Sequence, residues 1–102
     1  RPQDFDWLNK VRPIVTRSHV SGLFYSSAAA DEEPFVRIGD FCHRTTVVGI
    51  IESKKIFFHI TAGHSGIITE AYVGNGTSVA EGEPLFKLVR PQKTDAQRAR
   101  MR

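Results

Sequence analysis

Short apolar runs separated by turn residues dominate the chain from residue 14 onward. The runs fall at residues 14–17, 23–26, 35–37, 47–51, 56–61, 67–73 and 85–89. They are rich in Val, Ile, Leu and Phe, and the longest suit buried or half-buried strands. Gly22, Gly39, Gly63, Gly66, Gly74-Asn75-Gly76, Gly82 and Pro84 punctuate them at regular intervals, which predicts an all-β sandwich or barrel. Before residue 14 the pattern differs. Asp4 as N-cap, with Phe5, Leu8 and Val11 at helical spacing and Pro13 as a stop, predicts a short helix or linker over residues 1–13.

The β region reads as two related units. Ser21-Gly22 returns as Ser65-Gly66 at an offset of 44, and Val36 and Gly39 return as Val73 and Gly76 at an offset of 37. On the second offset Val48 and Ile51 fall on Leu85 and Leu88. The surplus in the first unit lies in residues 26–34, a small-residue and acidic stretch expected to project as a loop. A quasi-twofold arrangement of the units places the hairpin at their junction at one end of a flattened sandwich and the two chain termini together at the other.

That junction carries the leading functional candidate. Glu52-Ser53-Lys54-Lys55 is a polar link between two of the most apolar stretches, so a tight turn presents a lysine pair at an exposed tip. Lysines at such a tip also keep apolar flanks soluble, and the pattern alone leaves both readings open.

Composition narrows the function classes. A chain of 102 residues suits one compact domain with short tails. A single cysteine, Cys42, forms no internal disulfide and fits a small core or edge position. No apolar run approaches the length of a bilayer span and no secretory signal pattern is visible. The net charge of +3 divides unevenly: six basic residues and one acidic residue from Lys87 onward leave the preceding body slightly acidic. Residues 91–102 read as a solvated basic tail, with a tail-driven nucleic-acid contact as a minor alternative.

His19, His43, His59 and His64 lie in separate elements without carboxylates at ligand spacing, so no metal site is expected, and His59 is expected on the solvent side of its strand. Phe5 and Trp7 are expected to staple the N-terminal segment onto the β body. No phosphate loop, nucleophile elbow or paired-carboxylate arrangement is present, so no catalytic residue is assigned.

Residues 14–89 resemble the biotinyl domain of biotin carboxyl carrier proteins. The resemblance rests on Ser18-His19-Val20-Ser21-Gly22-Leu23-Phe24-Tyr25, the inserted loop, Gly49-Ile50-Ile51-Glu52-Ser53-Lys54-Lys55-Ile56, Ala62-Gly63-His64-Ser65-Gly66 and Glu83-Pro84-Leu85-Phe86. The family's attachment motif is Glu-Ala-Met-Lys-Met on a hairpin turn. Without gaps its lysine falls on Lys55, so Ser53, Lys54 and Ile56 stand where the family has alanine and two methionines.

The resemblance implies a flattened barrel of two four-stranded antiparallel sheets over residues 14–90. It implies biotin on the Lys55 amine, flanked by Glu52, Ser53, Lys54 and Ile56, and a projecting thumb that includes Ala28, Ala29, Ala30, Asp31 and Glu32. The thumb favours biotin over lipoate. The implied role is a non-catalytic carrier of carboxybiotin between biotin carboxylase and carboxyltransferase in an acyl-CoA carboxylase, in the cytoplasm or plastid stroma. Biotin ligase would be a further partner, no membrane partner is implied, and oligomerisation through residues preceding Arg1 is left open. A carrier-like paralogue without biotin, serving as a structural or regulatory subunit, is the alternative.

Overall fold

The computed structural model describes residues 12–90, and among them there are eight strands and no helix. The expectations for a helix at residues 1–13 and a tail at residues 91–102 therefore lie essentially outside the described residues. The strands are β1 (Arg12–Arg17), β2 (Gly22–Tyr25), β3 (Phe41–Cys42), β4 (Val47–Ser53), β5 (Ile56–Thr61), β6 (Gly66–Ala71), β7 (Thr77–Val79) and β8 (Pro84–Arg90). They form two four-stranded sheets, ordered β1-β8-β6-β3 and β5-β4-β2-β7, with every neighbouring pair antiparallel.

The sheet orders reveal the internal symmetry directly. Exchanging β1 with β5, β2 with β6, β3 with β7 and β4 with β8 turns one sheet order into the other. The sequence offsets reappear as matched bonds: Gly76 N–H donates to Phe24 O at 2.7 Å, and Gly39 N–H donates to Ile68 O at 2.7 Å. Gly39 and Gly76 both have positive φ, 99° and 82°, a conformation that favours glycine in both copies. The repeated Ser-Gly has a packing cause. A Cβ at Gly22 would collide with the Glu52 carbonyl and Ile51, and one at Gly66 would press on the Val89 carbonyl and Leu88.

The core lies between the sheets. Phe24, Val48, Ile51, Ile68, Leu85 and Leu88 are fully buried, and Phe24 meets Phe86 edge-on with ring centroids 6.1 Å apart. Each such aliphatic or aromatic side chain contributes about 1.5–3 kcal/mol by leaving water. Val48 with Leu85, and Ile51 with Leu88, are the symmetry mates expected from the sequence. The buried Thr16 hydroxyl donates to Ala62 O at 2.8 Å, tying the end of β1 to the segment after β5. Every buried side-chain polar atom among the described residues has a partner.

Three details depart from the sequence reading. Residues 35–37 form no strand; the strand of that region is β3, beyond the Gly39 turn. No strand was anticipated between residues 73 and 85, yet β7 pairs with β2 there. The extra loop does not only project: Ser27 bridges to Pro34 and Phe35 N–H donates to Ser26 O at 2.9 Å, closing the loop on itself, and its Ser26–Ala30 portion shares a cleft with Tyr25, Ile50 and Phe57.

Candidate functional site

The β4–β5 hairpin closes on the register pair Ser53 and Ile56, leaving only Lys54 and Lys55 in the turn. The link is thus two residues long, not four. Their φ values are 52° and 67°, and positive φ at both central positions defines a type I′ turn. This turn matches the right-handed twist of the flanking strands, although neither lysine is a preferred residue for it. Both side chains are exposed.

The turn lies at one extremity of the body. From the middle, where Ala62 N–H donates to Thr46 O, β4 and β5 run out to the tip. Their symmetry mates β8 and β1 run the opposite way and end at the register pair Arg12 and Arg90. The lysine pair and the register pair Arg12 and Arg90 therefore occupy opposite poles, while the chain termini of the expectation lie outside the described residues.

Behind the tip, the outer face of the β5-β4-β2-β7 sheet presents Phe57, Glu52 and Leu23 in one register row and His59, Ile50 and Tyr25 in the next. Ile50 points away from the core yet is only 9% exposed. Residues Ser26–Ala30 of the inserted loop face it across a cleft of about 460 Å³, which Tyr25, Ile50, Phe57 and Asn75 line on the other side. That volume falls within the roughly 300–1,000 Å³ typical of small-ligand sites. Asn75 Oδ1 accepts from Ser26 N–H at 2.9 Å and anchors the loop base. Ala28, Ala29 and Ala30 line the cleft, whereas Asp31 and Glu32 are exposed outside that lining. Glu33 lies 3.7 Å from Arg37, an exposed pair of little energetic weight.

Glu52 connects cleft and tip. The Tyr25 hydroxyl donates to its Oε1 at 2.9 Å, and this bond, reinforced by burial and the carboxylate's charge, pushes the Tyr25 phenol above its ordinary value. The bond ties β2 to β4 at the position just before Ser53. Ile56 and Phe57 remain 56% and 58% exposed beside the lysines, an apolar collar open to a partner.

The pattern of apolar and polar positions marks the turn and the loop, but nothing in it marks Tyr25, Ile50 or Asn75. For Phe57 a signal existed: an aromatic residue at a solvent-facing position of a strand. His19, His43, His59 and His64 are all exposed and stand in separate elements. No group of three or more His, Cys, Asp or Glu residues able to hold a metal ion occurs among the described residues, and no helix long and apolar enough to cross a membrane occurs among them.

Comparison with known proteins places the chain in a family. The family model described as "Biotin-requiring enzyme", for biotin and lipoyl domains, matches residues 19–88, well over half of the chain. The chain belongs to the biotin/lipoyl domain family. Its relatives include biotin carboxyl carrier proteins of acetyl-CoA carboxylase. That of Chlamydia pneumoniae is 37% identical over 73 residues, covering 72% of this chain and 44% of the relative. That of Pseudomonas aeruginosa is 35% identical over 80 residues, covering 78% and 51%. The chloroplastic carrier protein 2 of Arabidopsis thaliana is 39% identical over 70 residues, covering 69% and 28%. The biotin/lipoyl domain chain thus spans about half or less of these relatives. Its fold is also similar to part of a solved single-chain, multi-domain long-chain acyl-CoA carboxylase: TM-score 0.64 at 16% identity, covering 87% of this chain and 8% of the other.

Proposed function

We propose that this chain is the biotinyl domain of a carboxyl carrier, with biotin joined through an amide to Lys55 Nζ. The single observation that carries this reading is the placement of Lys55 at the second central position of a two-residue turn, at the pole opposite the register pair Arg12 and Arg90. The family assignment and the carrier-protein relatives support biotin as the group carried. Lys55 Nζ would be the nucleophile in that bond: biotin ligase joins the biotin carboxyl to the α-phosphate of ATP with release of pyrophosphate, and the amide forms as the bond from the acyl carbon to that phosphate oxygen breaks, AMP leaving and the amine losing a proton to solvent.

The residues present fit the group. The cleft under residues 26–30 opens one register row behind the tip, with an apolar floor in Ile50 and Phe57 and polar groups in Ser26, Ser27 and Asn75. When bound, biotin supplies the means of carrying a carboxyl group. The rigid sheets hold the tip, Glu52 and Tyr25 brace β4 behind it, and the cleft shelters the ring from water. Biotin carboxylase and carboxyltransferase are the proposed partners, an acyl-CoA the proposed acceptor, and the cytoplasm or plastid stroma the proposed location. The domain itself, residues 14–90 with its thumb at 26–34, performs no catalytic step in this scheme.

A second reading has one specific observation in its favour. Lys54 brings a second cation to the place beside the attachment lysine, and a ligase that reads an apolar side chain there would reject it. The chain would then act as an unmodified structural or regulatory subunit.

Incubation with the cognate ligase, biotin and ATP, followed by intact mass, separates the two. The carrier reading expects one biotinyl addition, retained in Lys54→Arg and lost in Lys55→Arg. Retention in Lys55→Arg overturns the assigned site; absence of any addition, combined with co-purification with carboxylase subunits, establishes the unmodified role.

A further inference from the structure

The two-residue turn creates a choice for any enzyme that acylates it. Lys54 and Lys55 are identical side chains on consecutive residues, both exposed, with φ values of 52° and 67°. Each amine stands on a flexible four-carbon stem, so a displacement of one residue lies within its sweep. No charged neighbour sets one apart from the other. The ion pairs found among the described residues, Arg37 with Glu33 and Lys87 with Glu70, lie away from the turn. The nearest carboxylate along the strand, Glu52, accepts the Tyr25 hydroxyl. Acylation consumes a neutral amine, because an ammonium has no lone pair with which to attack.

Solubility does not explain where the second cation stands. A lysine in the left-handed region is unfavourable, and asparagine or glycine serves such a turn better. Ile56, the first residue of β5, is 56% exposed on extended backbone. A lysine there would shield the apolar flank at no cost in the backbone. The chain has the reverse arrangement, a strained cation at Lys54 and an exposed isoleucine two residues on. Strain kept at an exposed tip points to a use in recognition.

We propose that Lys54 is a specificity determinant: a carboxylate on the biotin ligase pairs with its ammonium, an apolar surface of the ligase takes Ile56 and Phe57, and Lys55 alone is left free to be acylated. The inference rests on the carrier reading given above and names what the ligase must present to this turn. The ligase is the partner chosen because it alone meets both lysines unmodified; once the amide has formed, Lys55 carries no charge and the choice has been made. The ion pair acts twice. It draws the basic tip to the ligase and weakens with salt, and it holds the Lys54 amine in the protonated form that cannot attack. A ligase shaped for an apolar side chain at this place would leave the Lys54 charge buried without a partner and reject the chain. One residue thus excludes one class of ligase and admits another.

The test uses the full chain with the ligase of its own host, biotin and ATP, with intact mass giving the rate and fragment masses the position of the group. At about 20 mM salt, Lys54→Met is expected to raise KM about tenfold with kcat little changed, Lys54→Glu to raise it further, and Lys54→Arg to keep it near that of the unaltered chain. Salt of about 0.5 M is expected to raise KM for the unaltered chain and not for Lys54→Met, and to increase the share of the group found on Lys54. Equal KM for Lys54→Met and the unaltered chain at low salt, or a position of acylation indifferent to salt, overturns the proposal and leaves the carrier reading standing. Loss of the salt effect in Asp31→Asn with Glu32→Gln overturns it in favour of the inserted loop as the partner of Lys54. Addition to Lys54→Met but not to the unaltered chain overturns it in favour of Lys54 as a pure exclusion device. No addition to either chain overturns the carrier reading, and this inference falls with it.

Discussion

Lys54 and Lys55 hold left-handed backbone conformations that cost L-residues roughly 1–2 kcal/mol each. Asn-Gly suits a type I′ turn far better. The double substitution Lys54→Asn with Lys55→Gly is therefore expected to raise stability by about 1–2 kcal/mol in urea denaturation, while removing the proposed attachment amine. Unchanged stability would show that the turn relaxes at no cost in the parent chain. The lysine pair was legible in the sequence because polar residues interrupted two β-rich runs. Its strain was not, since a four-residue polar link does not reveal that the ladder continues through Glu52 and Ser53 and confines the reversal to two residues. Tyr25 escaped notice for a related reason: its bond to Glu52 joins residues 27 positions apart, and only the β2–β4 register brings them together.

At the scale of elements, β4 shows how a covering loop rewrites a strand's pattern. Val48, Gly49, Ile50 and Ile51 are buried in succession, although a half-exposed strand would alternate. Ile51 faces the core against Phe24, whereas Ile50 faces the cleft beneath residues 26–30. Replacing that loop with the shorter connection of the second unit is expected to expose Ile50 and lower stability by about 1–2 kcal/mol, with the eight strands retained. Urea denaturation and circular dichroism check both parts, and an undiminished midpoint would remove the loop from any covering role. The sequence predicted the loop from its composition but not its direction, because residues 26–34 contain no large side chain to mark a buried side. The two shortest strands were missed because Phe41–Cys42 and Thr77–Val79 are too brief for alternation to register. The positive-φ glycines before them, Gly39 and Gly76, were the more informative signal.

At the scale of the whole molecule, the twofold repeat makes one core from two units, and Cys42 sits inside it with no exposed surface. Burial, and secondarily the charge of Asp40, pushes its thiol above the ordinary value, so thiolate is scarce near neutrality. Alkylation by iodoacetamide is accordingly expected to follow opening of the fold: slow in buffer, at the free-thiol rate in denaturant, and tracking stability across variants. Rapid alkylation in buffer would mean that β3 detaches from β6 on its own.

The separation of the two poles also makes the body a lever. β4 and β8, at seven residues each and about 3.3 Å per residue, carry the chain roughly 20 Å in opposite directions from the middle. If the molecule is held at Arg12 or Arg90, a small angular swing there moves Lys55 through a wide arc while leaving every contact within the sheets intact. Range of travel is then governed by the pivot and not by deformation of the fold.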